Sequence, residues 1–68
     1  MVHIVIESSS DTTKIVGVFN NIKKAQVCFE GLLNKHNVVN EVEYTNALQD
    51  LYYSDDGVEF HVESWEVA

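Results

Sequence analysis

Residues Val58 to Val67 read VEFHVESWEV, and the way this stretch lies decides the fold. Val58, Phe60 and Val62 alternate with Glu59, His61 and Glu63. In extended backbone, successive side chains point to opposite faces, so this is a strand with one apolar and one acidic face. The apolar face is expected to close the core, and the acidic face to be the working surface. Continued past Val62, the alternation puts Ser64 and Glu66 inside and Trp65 and Val67 outside. Either a bulge near Glu63 and Ser64 returns Trp65 to the core, or Trp65 stands on the outer face near Val5, an apolar patch among acids. Aromatic anchors of that kind carry much of the energy of protein contacts.

Working backwards, Ser54 to Gly57, SDDG, is a turn. The segment from Val38 to Tyr53 has two readings. Tyr44, Ala47, Leu48, Leu51 and Tyr52 fit helical spacing, with Asn40 and Glu43 as a capping pair. Val38, Asn40, Val42 and Tyr44 also alternate as in a short strand. A second helix from about Val42 to Tyr53 is expected. Before it, Ile22, Ala25, Phe29, Leu32, Leu33 and His36 fall on one side of a helix. Asn20 or Asn21 caps that helix and Asn37 ends it. Cys28 sits on the flank of its apolar stripe. Lys23, Lys24 and Glu30 take the polar side, where Val27 is the exception.

At the start of the chain, Val2, Ile4 and Ile6 alternate with His3, Val5 and Glu7, a first strand. The polar run SSSDTT, Ser8 to Thr13, connects it to a second strand, Lys14 to Phe19, so the two form an antiparallel hairpin. Gly17 inside that strand marks a bulge or close packing. The expected architecture is one small α+β domain over residues 1–68. It has a three-stranded antiparallel sheet with one or two helices on one face, and the last strand lies beside the first.

Charge is the most unusual property of the chain. Eleven acids stand against four bases, and all four are lysines. Met1 to Lys35 holds three acids and four lysines, a net charge of +1; His36 to Ala68 holds eight acids and no lysine, a net charge of −8. Direct nucleic-acid binding needs basic side chains against phosphates, so it is not expected. The same holds for anionic membranes, and no apolar run approaches the ~20 residues of a membrane span. A basic partner or simple solubility fits the balance. One cysteine excludes an intrachain disulfide and points to the reducing cytoplasm. The opening MVHIVIE has no basic residue before its apolar run and is too short for a signal peptide. A core this small without a disulfide favours a homo-oligomer.

The opening strand, the run Lys14-Ile15-Val16-Gly17-Val18-Phe19-Asn20-Asn21 leading into a helix with Ala25, and the ending Ser64-Trp65-Glu66-Val67 resemble a group of short bacterial and phage proteins of uncharacterised function. The likeness spans about two thirds of the chain and concerns structure, not chemistry. Size and acidity also resemble phage host-takeover proteins that mimic DNA, including an inhibitor of the nucleoid protein HU. That resemblance implies a homodimer with acidic surfaces that occupies a basic DNA-binding site in the host cytoplasm.

Other chemistries find little support. His3 and His61 are expected on the outer sheet face near Glu7, Glu59 and Glu63, where two histidines and a carboxylate would suit zinc. No HxxxH-type spacing supports that, and solvated strand histidines are the ordinary reading. Asp55-Asp56-Gly57 lacks the remaining ligands of a calcium loop. A nucleophilic Cys28 needs a lowered pKa and a nearby base; on an apolar helix flank it is a packing residue. No phosphate loop is present, and neither enzyme activity, metal nor cofactor is expected.

The surface that remains is acidic. Its expected contact residues are Glu7, Glu41, Glu43, Asp50, Asp55, Asp56, Glu59, Glu63, Glu66 and Trp65, set against a basic nucleic-acid-binding protein. The alternative is an adaptor module that binds through an apolar patch of Trp65, Val5 and Val27.

Overall fold

The β-branched runs at the two ends of the chain form the centre of one sheet. A computed structural model describes residues 1–66; Val67, expected on the outer face, lies outside them. The elements in order are β1 (Val2–Ser8), β2 (Thr13–Phe19), α1 (Ile22–Lys35), α2 (Glu41–Asp50), β3 (Tyr52–Asp55) and β4 (Val58–Trp65). The sheet is antiparallel throughout, with strand order β2-β1-β4-β3. The fold is therefore α+β with two helices, and the last long strand pairs with the first as expected. Among the described residues the sheet has four strands rather than three.

The added strand comes from the segment read as the end of the second helix. Leu51 adopts a left-handed backbone, φ 53°, and stops α2 at Asp50. Tyr52 to Asp55 then run extended into a tight turn at Asp56 and Gly57, with φ of 50° and 80°. Positive φ at both central residues is the turn that matches the twist of a two-residue hairpin. Asn40 caps α2 as expected, its Oδ1 accepting from the backbone N–H of Val42 and Glu43 at 3.1 Å each.

α1 follows its sequence pattern closely. Asn21 Oδ1 accepts from the Lys23 N–H at 2.8 Å, and Asn37, at φ 59°, turns the chain away. Ala25, Phe29, Leu32 and Leu33 are buried against the sheet. Val5, Ala47 and Phe60 complete the core, and no buried residue among those described is polar or charged. His36 anchors the end of α1 on the β3–β4 hairpin. Its ring meets Phe60 edge-on at 5.5 Å and Tyr53 at 5.9 Å, and its Nε2 lies 3.6 Å from Asp55 Oδ2.

Two details of phase differ from expectation. β4 runs without a bulge, from Glu59 opposite Ser8 to Trp65 opposite Val2, so Trp65 stays on the outer face. Its neighbour there is Val2, because Val5 is fully buried. β1 is turned over relative to its apparent alternation. Val5 pairs with Val62, and β4 has its phase set by Phe60, so Val5 goes inward with His3 and Glu7 while Val2, Ile4 and Ile6 go outward. A one-residue change of register reverses every side chain of a strand. The bulge lies instead in β2. Gly17 faces Val5 and Ile15 faces Ile6, leaving Val16 as the extra residue. A Cβ on Gly17 would lie 2.7 Å from the Phe19 ring. Among the described residues no helix is long and apolar enough to cross a membrane.

Candidate functional site

Strand order turns a division in the sequence into a division in space. The lysine-bearing half builds β1, β2 and α1, and the acidic half builds α2, β3 and β4. All four lysines therefore lie on β2 and α1. Glu43, Asp50 and Asp55 line one groove between α2 and β3, together with Asn46, Ala47, Tyr52, Tyr53 and Ser54. No lysine lines it. Burial, with Asp55 and then Glu43 nearby, pushes the Tyr53 hydroxyl above its ordinary pKa, since all three disfavour the charged phenolate. Asp56 is exposed in the adjoining hairpin turn, and Glu41 is exposed in the first turn of α2, where a carboxylate suits the helix dipole.

The other expected acids are dispersed. Glu59 and Glu63 stand on the outer face of β4, opposite the helices. Glu66 is exposed just past β4. Glu7 lies on the helix side of β1, across from Lys14 and in a depression shared with Lys35 and His36. It belongs to the lysine side of the molecule and stands apart from the α2–β3 groove. Apart from Glu7, the expected acids lie on α2, β3, β4 and the turn and end that adjoin them, but they do not share a face.

His61, Glu63 and Trp65 form a chain of contacts on the outer face. Trp65 Nε1 donates to Glu63 Oε1 at 3.0 Å, and His61 Nε2 bonds Glu63 Oε2 at 3.0 Å. The His61 bond and then the Trp65 bond hold the Glu63 carboxyl below its ordinary pKa. His3 is on the opposite face, where its Nδ1 bonds Ser64 Oγ at 2.7 Å. The two histidines do not converge, and among the described residues no group of three or more metal-ligating side chains is placed to hold an ion. Cys28 is half-buried, and desolvation raises its thiol above the ordinary value.

One surface was missed in the sequence reading. Both helices lie on one side of the sheet, and the other side carries Val2, Ile4 and Ile6 from β1, Ile15 and Val18 from β2, Tyr52 from β3 and Trp65 from β4. Ile15 is 62% exposed, Val18 57% and Trp65 55%. The patch of Trp65, Val5 and Val27 does not form. Val5 is in the core, and Val27 is exposed on α1, away from Trp65. The signal was present in the strands: VHIVI and KIVGVF are apolar at both odd and even positions, as in strands covered on both faces.

No family model matches the chain, and neither the curated proteins nor the solved structures contain a match to it.

Proposed function

We propose that this protein is an acidic protein-binding inhibitor. Its α2–β3–β4 flank occupies the DNA-binding surface of a basic nucleic-acid-binding protein, of the histone-like nucleoid kind, in a host cytoplasm. The observation that carries this reading is the groove of Glu43, Asp50 and Asp55, which has Tyr52 and Tyr53 beside it and no lysine along it. Steering by such a field raises the rate of encounter, and the aromatic side chains supply desolvated contact area. Mimicry here is a matched potential. Glu59 and Glu63 lie four strand residues apart, ~13 Å, whereas duplex DNA carries a charge every ~1.7 Å of its axis.

The test is competition. A purified histone-like nucleoid protein bound to labelled duplex DNA is titrated with this protein at several salt concentrations. Release of the DNA, weakening as salt rises and lost in the combined variant Glu43→Gln, Asp50→Asn, Asp55→Asn, is the expected result. DNA that stays bound at saturating protein overturns the reading.

A second reading is an adaptor whose contact is apolar, favoured by the exposure of Trp65, Ile15 and Val18 on the helix-free face. Its contact with a partner tolerates salt and is lost in Trp65→Ala.

A further inference from the structure

We infer that the helix-free face of the sheet is covered by a second copy of this chain, packed sheet against sheet. The inference rests on that face and not on the acidic flank. Ile4 and Ile6 run along its middle on β1, with Ile15 and Val18 on β2 to one side and Trp65 and Tyr52 on β4 and β3 to the other. Soluble monomers rarely leave so much contiguous apolar surface open. The face is also large enough. The two longer dimensions of the molecule, 38 and 27 Å, bound it at about 1,000 Å², against about 800 Å² per partner in a stable interface.

The distribution of charge selects the occupant. The acids of this face, Glu59 and Glu63, are both on β4. The residues of β2 that point the same way, Thr13, Ile15 and Val18, include no acid. A two-fold contact centred on β1 lays β4 of each copy over β2 of the other. Carboxylate then meets apolar edge instead of carboxylate, and β3, whose one acid, Asp55, points to the helix side, lies at the rim of the contact. A two-fold interface is self-complementary in this sense. Glu63 is already prepared for cover, since each of its oxygens has a donor on its own strand, from His61 and Trp65. Buried carboxylates without such partners are costly.

The experiment is sedimentation of the full chain over a wide range of concentrations, with circular dichroism on every variant. The expected result is twice the chain mass for the wild type. Ile15→Lys and Val18→Lys, both at exposed positions, should each fall to a single chain mass with an unchanged spectrum. Val27→Lys, on the far side of α1, should remain double. Added salt should leave the dimer standing, because the contact is apolar and the two copies repel. A single chain mass for the wild type at every concentration overturns the inference, including the case in which this face instead takes a different protein. So does a dimer that survives Ile15→Lys and Val18→Lys combined, or one that Val27→Lys dissociates. None of these results depends on whether DNA is displaced in the competition above.

Discussion

The two faces of the sheet are made from much the same residues and end in opposite conditions. On one, Val5 and Phe60 lie under Phe29 and Leu33 and are almost wholly removed from water. On the other, Ile15 and Val18 extend from the same kind of strand and stay more than half exposed. The apolar side chains do not differ in chemistry. What differs is the supply of cover: two helices with short connections reach only one side of a four-stranded sheet. A chain of this length buries about 60% of its unfolded surface, and much of the apolar sheet surface left over lies here on a single face. The open apolar face and the shortage of cover are then one feature seen from two sides.

The largest test of that contrast is to cut one residue from each face. Phe29→Ala opens a cavity among fully buried neighbours and is expected to cost about 3–5 kcal/mol, close to the whole stability of a small domain. Val18→Thr is expected to change the stability of the single chain by less than about 0.5 kcal/mol, as for other exposed positions. Urea unfolding of both variants at low protein concentration measures the difference. Equal costs would mean that the outer face is packed within one chain, and the contrast between the faces would fail.

The helices and the three long strands were legible because each rests on local chemistry. Asn21 and Asn40 cap where side-chain oxygens meet free N–H groups, and the stripe of Ala25, Phe29, Leu32 and Leu33 is written in the spacing. Gly17 signalled the bulge in its own strand. What was not legible depends on pairing. Nothing in VHIVIE says whether Val5 or Ile4 faces inward; that follows from Val5 lying opposite Val62. β3 was missed because helical spacing in Tyr44 to Tyr52 outweighed Asp56-Gly57, a two-residue hairpin signal that requires a strand before it. Of the expected contact residues, Glu43, Asp50 and Asp55 gather in one groove. Glu7 sits beside Lys14 and Lys35 because its face was set by the same unseen register.

That hairpin offers an intermediate test. β3 holds Asp55 in the acidic groove, and its turn places Gly57 at φ 80° with open space around the missing Cβ. Gly57→Ala therefore meets no clash. It costs only the left-handed backbone, about 1 kcal/mol. Amide exchange should quicken in β3 and the adjoining end of β4 while α1 and the β1–β2 pair keep their protection. Uniform loss across the sheet would show that the acidic flank has no local stability of its own to separate it from the other half.

The smallest effect belongs to the open face and depends on pH. Glu63 is held below its ordinary pKa of 4.5 by the His61 bond first and the Trp65 bond second. A carboxyl whose pKa is lower in the folded chain adds stability that is present above the ordinary value and is lost as pH falls through the lowered one. The melting temperature of the wild type should thus exceed that of Glu63→Gln near neutrality, and the gap should close as the solution is acidified below 4.5. The group is partly exposed, so water screens the effect and the gap is small. Trp65 makes it visible nonetheless. It is the single tryptophan of the chain, its Nε1–H is bonded to Glu63, and its fluorescence should titrate with that carboxyl in the wild type and stay flat in Glu63→Gln. An emission that titrates alike in both proteins would separate Trp65 from Glu63. It would also remove the hydrogen-bonded partner that lets the Glu63 carboxylate tolerate cover on this face.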